Sequence, residues 1–266
     1  MIRLRLDQLL VERGLAPSRA AAQALLLAGE VELVGAGSRT LKPGQLVRRD
    51  AQVSVLPRPR WASRAGEKLA TALDTFRVDP AGQACLDAGA STGGFTDVLL
   101  VRGARIVYAV DVGRGQLLDR LARDARVVSM ERTNLRALRA LPEPIDLATL
   151  DLSFISLRVV LPAVRGLLGR TGSVIALVKP QFEAGREAVP RGGVVRDRVT
   201  HRDVLLHFGA AAAGLGFAPQ RVIASPITGA DGNREFLALL TTSAGPQAGP
   251  RSTWEAQVDA LLASPV

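Results

Sequence analysis

The sequence predicts an α/β protein whose main part is a parallel, doubly wound sheet, with a small α+β region before it. From residue 84 onward, apolar strand-like runs alternate with helix-like segments of roughly ten to twenty residues, a pattern typical of parallel sheets covered by helices. Before residue 60, two short helix-like segments precede strand-like alternation. With 266 residues and 47% apolar residues, the chain can build a substantial core.

Residues 1–56 are predicted to form a first domain of two helices and two strands. Leu6, Leu9 and Leu10 would share one face of the first helix, Gly14 would end it, and Ser18 would cap the second. The runs "EVELVG" and "QVSVL" alternate like strands. Residues 1–60 carry ten Lys/Arg against five Asp/Glu, and this basic balance favours a polyanionic partner.

The remaining segments follow in order along the chain. Residues 57–62, rich in Pro and Arg, suit a short stiff linker, and residues 63–243 would form the main domain. That domain opens with the helix "ASRAGEKLATALDTF" and continues with the strands "ACLDAG", "ARIVYAVDVG", "ARVVSM", "IDLATLDLSF", "SVIALVKP", "QRVIASP" and "EFLALL". Residues 244–266 would be a Gly/Pro linker and the amphipathic helix "WEAQVDALLA".

Composition excludes several classes of protein. The single cysteine, Cys85, rules out an internal disulfide framework, and two histidines in the chain offer no zinc-ligand pattern, so we expect no metal. The N-terminus lacks the features of a signal peptide, and no apolar run approaches the ~20 residues of a spanning helix. We therefore expect a cytoplasmic protein with no membrane partner.

The stretch "LDAGASTGGF" follows the first strand of the main domain, where a doubly wound sheet binds its ligand. Its glycines are spaced G-x-x-x-G-G, which fits neither the G-x-G-x-x-G dinucleotide motif nor the phosphate-binding loop that ends in Lys-Ser/Thr. An acid, Asp87, precedes the first glycine, and it would repel a pyrophosphate but attract a cation. The absent dinucleotide motif argues against a dehydrogenase.

The D-x-G-x-x-x-G-G pattern resembles motif I of S-adenosylmethionine-dependent methyltransferases, whose cofactor carries a sulfonium cation. The resemblance implies cofactor contacts from Asp87, Gly89, Ser91, Thr92, Gly93 and Gly94. Asp111 ends the next strand, where a carboxylate can accept both ribose hydroxyls. Asn134, after the third strand, is expected near the adenine edge, or is alternatively a simple turn residue.

Four further side chains suggest the chemistry. Only three of the 34 basic Lys/Arg residues are lysines, and Lys68 and Lys179 flank strands whose ends meet at one edge of the predicted sheet. Lysine can release its proton and arginine cannot, although codon bias explains the scarcity of lysine equally well. Asp151 and Glu235 join them by position, and a lysine with a loosened proton could activate a ribose hydroxyl.

The order Lys68, Asp151, Lys179, Glu235 resembles the K-D-K-E tetrad of FtsJ-like ribose methyltransferases. The motifs "SRAGEKL", "DAGASTGGFTD", "DLSFISL", "LVKPQFE" and "GADGNREFL" more closely resemble the TlyA family, from about residue 3 to 242. This resemblance implies methyl transfer to the 2′-oxygen of cytidine in ribosomal RNA, in the large subunit and in some members also the small. It implies that Lys179 acts on the hydroxyl, Lys68 and Glu235 position it, and Asp151 orients the lysine.

The first domain resembles the small RNA-binding module first described in a ribosomal protein of the small subunit, here called S-four-type. The residues "RLDQLLVERGLAPSR", "AQALLLAGEVELVG" and "LKPG" carry this resemblance. It implies that Arg5, Arg13 and Arg19 contact RNA, and we expect Arg60, Arg186 and Arg191 to add contacts. Any one of these arginines could instead belong to a solvated surface.

The partner expected is ribosomal RNA or a ribosomal subunit, and the chain is expected to act as a monomer, with the oligomeric state left open. Two other functions remain as alternatives. A non-catalytic ribosome assembly factor would be expected to have a disrupted tetrad, whereas all four residues are present. A haemolysin, a name attached to some TlyA relatives, would need an export signal and insertion segments, which the sequence does not offer.

Overall fold

The computed structural model describes residues 3–27, 31–34, 41–55, 60–229, 232–242 and 253–263, without the side chains of Ala24 and Arg186. Its contacts divide the chain into two compact units, Met1–Pro59 and Arg60–Val266. The boundary between them falls inside the segment 57–62 where the sequence suggests a linker.

The first unit contains short strands and two helices around a small core. In chain order its elements are β1 (Arg3–Arg5), α1 (Leu6–Glu12), α2 (Arg19–Leu27), β2 (Val31–Leu33), β3 (Leu46–Arg48) and β4 (Val53–Val55). Strands β1 and β3 pair antiparallel, and so do β2 and β4. Leu6, Leu9 and Leu10 are fully buried, as the helical pattern predicts, and the Ala21 amide donates to Ser18 Oγ at 3.2 Å. The strands predicted at "EVELVG" and "QVSVL" correspond to β2 and β4, whereas β1 and β3 were not predicted.

The second unit is a sheet with helices on both faces. Its first half comprises α3 (Ala65–Phe76), β5 (Ala84–Ala88), α4 (Gly94–Val101), β6 (Ile106–Val110), α5 (Asp119–Ala122), β7 (Val127–Met130) and β8 (Ile145–Leu150). Its second half comprises α6 (Leu157–Leu167), β9 (Leu168–Val178), α7 (Pro180–Glu183), α8 (Arg198–Gly214), β10 (Phe217–Ala224), β11 (Phe236–Thr242) and α9 (Trp254–Ala263). None of the helices described is both long enough and apolar enough to cross a membrane.

The sheet has seven strands in the order β10-β11-β9-β8-β5-β6-β7. The predicted α/β fold with a doubly wound sheet is confirmed, and the sheet is parallel except at β11, which runs antiparallel to both β9 and β10. Among the described residues between β10 and β11, 225–229 and 232–235, there is no α-helix, as expected for a connection between antiparallel strands. As a result, β11 begins at the same sheet edge where β5, β8 and β9 end, with Phe236 opposite Val178.

Side chains of the central strands alternate between two cores, one on each face of the sheet. On one face, Leu86 and Phe236 pack with Leu161 and Phe208 of helices α6 and α8. On the other face, residues such as Leu237 pack with α3 and α4. Because both faces are covered, the central strands are mostly apolar, which is why they are readily recognised in the sequence.

The C-terminal helix α9 packs on α8 and on the edge strand β10. Trp254 donates its indole N–H to the Leu205 carbonyl oxygen at 2.9 Å, and Val258 is fully buried. Arg202 on α8 binds Glu255 and Asp259, each at 2.6 Å. The amphipathic helix expected from the sequence is therefore present as α9, and it packs against the second unit.

Candidate active site

A cleft opens at the carboxyl edge of β5, β8 and β9. One cavity of about 720 Å³ is lined by all four residues of the proposed tetrad. A second cavity of about 510 Å³ contains Asp111 and Asn134. The two cavities share Gly89, Ser91, Asp151, Ser153 and Phe154 as lining, so together they form one elongated site within the second unit.

The glycine loop forms the floor where the two cavities meet. Gly89 has φ of 86°, and a Cβ there would collide with the Asp151 carbonyl oxygen. Gly93, with φ of 96°, caps the N-terminus of α4, and a Cβ there would collide with Leu117 and Leu121. Both positions thus require glycine for backbone conformation as well as for space.

Asp111 and Asn134 lie in the second cavity. The Asp111 carboxylate accepts the Ser91 amide at 2.8 Å and the Gly113 amide at 2.7 Å, which ties the strand end to the glycine loop. Asn134 caps a short 3-10 helix by accepting the Arg136 amide at 3.0 Å. Its amide nitrogen is then available as a donor to the edge of a base.

Asp87 lies beneath the glycine loop and not in the cleft itself. Its side chain is fully buried, with one oxygen accepting the Thr96 hydroxyl at 2.6 Å and the other, Oδ1, without a hydrogen-bond partner. Burial raises the pKa of Asp87 to about 7, the Thr96 hydrogen bond opposes that rise, and the neighbouring Asp151 charge adds to it. Asp87 lines neither cavity, so the direct cofactor contact that the resemblance implies for it is not seen in the structure.

The other loop residues with expected cofactor contacts line the cleft directly. Ser91 and Thr92 lie at its floor, Ser91 with the unusual φ of 47°. Gly94 also lines it and packs closely against Ser63, where a Cβ would collide with the serine hydroxyl. The structure thus groups the predicted loop residues around one space.

Two ion pairs organise the tetrad. Lys179 Nζ lies 2.7 Å from Asp151 Oδ1 and donates to Ser153 Oγ at 3.0 Å. Lys68, on α3, forms a close ion pair with Glu235, which immediately precedes β11. Lys68, Lys179 and Glu235 are 7%, 8% and 3% exposed, so the two lysines are held in fixed positions by their partners.

Several wall residues are missing from the sequence-based set. Phe154 is 91% exposed with φ of 62°, and its ring centroid lies 5.1 Å from that of Phe182. The Lys179 ammonium lies 6.0 Å from the Phe182 ring. Phe154 and Phe182 lie in the motifs "DLSFISL" and "LVKPQFE", from which only Asp151 and Lys179 were predicted as site residues. The sequence does not reveal the exposure of Phe154 or its positive φ.

Asn233 holds residues 193–195, which lie beside the first cavity, through two hydrogen bonds. Its side chain accepts the Val195 amide and donates to the Gly193 carbonyl, both at 3.0 Å. The buried His201 imidazole bonds the Val195 carbonyl, also at 3.0 Å. The segment after α7 is therefore tied to the polar start of β11, next to Glu235.

The arginines expected to contact RNA have varied surroundings. Arg5 and Arg19 both bind the buried Asp7, at 2.9 and 3.3 Å, while Arg13 donates to the Arg49 carbonyl. The guanidinium groups of Arg5 and Arg19 remain 41% and 53% exposed at the side chain, so both retain outward-facing donors. Arg191 is exposed, and the side chain of Arg186 lies outside the described part of the structure.

Residues 60–62, expected to be linker, pack within the second unit. Trp61 is buried, with the Arg60 guanidinium 4.8 Å from its ring centre. The Ala62 amide donates to Asp97 at 2.8 Å, and Asp97 also binds Arg120. The last part of the predicted linker, residues 60–62, thus contacts α4, the helix that follows the glycine loop.

Comparison with known proteins identifies relatives across most of the chain. Residues 61–242 match the FtsJ-like methyltransferase family model. A protein of Bacillus subtilis provisionally named rRNA methyltransferase YqxC is 48% identical, over 89% of this chain and 85% of its own length. The 16S/23S rRNA (cytidine-2′-O)-methyltransferase TlyA of Mycobacterium tuberculosis is 46% identical over 90% of each chain. A solved structure provisionally described as a hemolysin from Streptococcus thermophilus superimposes with a TM-score of 0.73 at 40% identity, covering 98% of this chain and 96% of its own.

Proposed function

This chain belongs to the FtsJ-like methyltransferase family, and from that membership we propose that it is an S-adenosylmethionine-dependent methyltransferase acting on the 2′-oxygen of cytidine in ribosomal RNA. The observation that carries the proposal is the meeting of Lys68, Asp151, Lys179 and Glu235 in one cleft beside the glycine loop. The identity to a relative named for this reaction supports the substrate. We propose cytidine in large-subunit RNA as the substrate, and small-subunit RNA as a further candidate.

The cleft fits the proposed cofactor. A buried carboxylate oxygen without a partner, Asp87 Oδ1, supplies negative potential under the loop, which suits a sulfonium and an ammonium group. Gly89 and Gly93 leave room that a Cβ would fill. Asp111 would hold the ribose hydroxyls, Asn134 the adenine edge, and the Gly89–Gly94 loop the amino-acid portion.

S-adenosylmethionine, when bound, supplies a methyl group on a positively charged sulfur. With its nitrogen deprotonated, Lys179 would accept a hydrogen bond from the 2′-hydroxyl and would take its proton during methyl transfer. Asp151, 2.7 Å from that nitrogen, stabilises the resulting ammonium ion. Ser153 fixes the direction of the lysine, so that the hydroxyl oxygen is aligned for transfer.

Lys68 and Glu235 have a supporting role. Their buried ion pair joins the first turns of α3 to the start of β11, and both side chains line the same cavity as Lys179. The pair shapes the wall beside Lys179 and contributes an ammonium group that can hydrogen-bond the ribose. Phe154, exposed at the rim, offers a face on which an unstacked base can lie.

The first unit is proposed to be an S-four-type RNA-binding domain over residues 1–56, and the methyltransferase domain is proposed to extend to residue 243 and to include residues 60–62, which pack within the second unit. Arg5, Arg13 and Arg19 would contact RNA phosphates there, with Arg60, Arg186 and Arg191 adding contacts from the second unit. Since ribosomal RNA is the proposed substrate, the cytoplasm is the proposed location. The chain is proposed to act as a monomer.

The deciding experiment is transfer of labelled methyl from S-adenosylmethionine to each unmethylated ribosomal subunit separately. The wild type should label one or both subunits, and Lys179→Ala should lose at least about a hundredfold in rate because the proton acceptor is gone. Arg170→Ala is the matched control, since Arg170 is an exposed cation on the same strand β9, near the end opposite Lys179.

The outcomes separate the candidate functions. Labelled 2′-O-methylcytidine from the wild type and from Arg170→Ala, but not from Lys179→Ala, supports the proposal. Tight ribosomal RNA binding with no methyl transfer, despite bound cofactor, would instead favour a non-catalytic assembly factor.

A further inference from the structure

Two loops at the carboxyl edge of the sheet carry the reacting groups. The loop after β8, residues 151–156, carries Asp151, Ser153 and Phe154, and the turn after β9 carries Lys179 and Phe182. The loops contact each other through Lys179 with Asp151 and Ser153, and through the two aromatic rings. All of those contacts lie at the cleft, where substrate binding would disturb them.

A further connection between the loops lies away from the cleft. Glu183, the last residue of α7, directs its carboxylate into the start of α6, where it accepts the Ser156 hydroxyl and the Leu157 amide, both at 2.6 Å. Arg158 approaches the same carboxylate at 3.5 Å and donates to the Glu183 carbonyl at 3.2 Å. Glu183 is 7% exposed and lines neither cavity of the site, so its role is not to touch substrate.

The 151–156 loop needs such an anchor because part of it is strained. Phe154 adopts φ of 62°, a left-handed conformation that a bulky residue rarely takes and that persists only when the surroundings hold it. Ser156 and Leu157, bound by Glu183, follow two and three residues later in the chain. The carboxylate also faces the N-terminus of α6, where negative charge is favoured.

We propose that Glu183 is a positioning residue that fastens the 151–156 loop to the turn carrying Lys179, and so keeps Asp151 and Ser153 in place around the lysine nitrogen. The inference rests on the proposed function for its effect on catalysis, but the anchoring itself has an independent readout. Charge is essential to the anchor, because a carboxylate can accept from both the serine hydroxyl and the helix amide.

The test compares Glu183→Gln, Ser156→Ala and Ser156→Thr with the wild type. Glutamine keeps the size of the side chain but replaces one accepting oxygen with an NH2 group, which cannot accept. We expect Glu183→Gln to lower kcat for methyl transfer to ribosomal subunits by roughly 10- to 100-fold, because small misplacements of reacting groups have effects of that order. Affinity for S-adenosylhomocysteine should stay within about twofold of the wild type, since the glycine loop and Asp111 are untouched.

Ser156→Ala should lower kcat in the same direction by a smaller factor, and Ser156→Thr, which keeps the hydroxyl, should restore it. The concentration of folded enzyme is taken from the number of S-adenosylhomocysteine binding sites. Each rate is divided by that concentration, so that unfolded protein does not lower the kcat obtained. Glu143→Gln is the matched control, because that carboxylate binds Arg105 at the surface and no residue of the cleft.

Hydrogen–deuterium exchange supplies the readout that does not depend on catalysis. In Glu183→Gln a single accepting oxygen is left for two donors, the Ser156 hydroxyl and the Leu157 amide, so the peptide covering residues 152–160 should exchange faster than in the wild type, with no change in peptides from β5 or β6. The proposed role of Glu183 would be contradicted by any one of three results for Glu183→Gln: a kcat equal to that of the wild type, unchanged exchange over residues 152–160, or a parallel loss of cofactor affinity. If the wild type methylates no ribosomal subunit, the proposed function fails, and the exchange comparison still decides the anchoring role.

Discussion

At the scale of single residues, the buried carboxylate of Asp87 is the most unusual group in the molecule. It has one hydrogen-bond donor, Thr96, and no cationic side chain bound to it among the described residues. Burial raises its pKa to about 7, so that near neutral pH the group is balanced between a neutral and an anionic form. A cationic ligand in the cleft favours the anionic form, which couples ligand binding to proton release.

This coupling predicts a pH dependence of cofactor affinity. As the pH rises from 6 to 8, the Kd for S-adenosylmethionine should fall, because more of Asp87 is ionised in the free protein. Asp87→Asn cannot ionise and should show a flat profile over the same range. Calorimetric titrations at several pH values would measure this, with Asp119→Asn, an exposed carboxylate on α5, as control. A wild-type Kd that is constant from pH 6 to 8 would contradict it.

The same group predicts a trend in stability. The pKa of Asp87 is higher in the folded state than the usual value near 3.9 in an unfolded chain, so the native state binds more protons between about pH 4 and 7. The contribution of this group to the free energy of unfolding is therefore largest at low pH and falls by roughly 4 kcal/mol across that window. Urea unfolding at pH 5 and pH 8 should show wild type losing stability relative to Asp87→Asn as pH rises.

The exposed ring of Phe154 leads to a further residue-scale prediction. Phe154→Leu keeps an apolar side chain but loses the flat face, so kcat/KM for ribosomal RNA should fall by about tenfold or more, in line with a stacking contribution of ~1–3 kcal/mol. Phe154→Tyr should retain most activity, and cofactor affinity should change little in either variant. Steady-state kinetics at saturating cofactor would show this, and equal kcat/KM in Leu and Phe forms would rule out stacking.

At the scale of elements, the reversed strand β11 is what completes the site. Because it runs against β9, its start and not its end reaches the catalytic edge, and this places Glu235 beside Lys68. The sequence placed Asp151, Lys179 and the glycine loop at that edge, since each follows a buried strand. Sequence could not show that β11 is reversed, which carboxylate each lysine selects, or that Phe154 has a positive φ, because these depend on long-range pairing and packing.

Helix α9 gives the element-scale prediction. Trp254 packs against Phe208 at 6.5 Å between ring centroids, and it occupies the space above Gly209, where a Cβ would collide with the indole. Trp254→Ala should lower the free energy of unfolding by about 2 to 4 kcal/mol, while Trp254→Phe should cost about 1 kcal/mol through the lost bond to Leu205. Methyl transfer at 25 °C should be unchanged in both, since α9 does not line the cleft. Thermal unfolding followed by circular dichroism measures the first effect, and a parallel loss of activity would show that α9 supports the site.

At the scale of the whole molecule, the two units divide recognition from chemistry under the proposed function. In the first unit, Asp7 gathers Arg5, Arg19 and Gln23 around one buried carboxylate. The Arg5 hydrogen bonds are the main cause that lowers the pKa of Asp7, so it stays ionised and keeps two guanidinium groups side by side despite their repulsion. Such an arrangement presents fixed donors to RNA phosphates.

Arg19→Ala tests this recognition with little disturbance of the fold, because Asp7 keeps its two hydrogen bonds from Arg5. Affinity for ribosomal subunits should fall, and the slope of log K against log salt should become shallower by about 0.7 to 0.9, the value for one lost phosphate contact. Arg105→Ala, which removes a surface arginine paired with Glu143, should leave the slope unchanged. Filter binding between 50 and 200 mM salt would measure both, and an unchanged slope for Arg19→Ala would remove that residue from the RNA contact.

The scarcity and burial of lysine make the cleft a target for selective labelling. Of the three lysines, Lys42 is exposed, whereas Lys68 and Lys179 are enclosed in ion pairs at the site. An amine-reactive reagent should therefore modify Lys42 quickly and the two cleft lysines slowly. Mass spectrometry of the slowly modified peptides, with and without ligand, would then map occupancy of the cleft in a chain whose other basic side chains do not react.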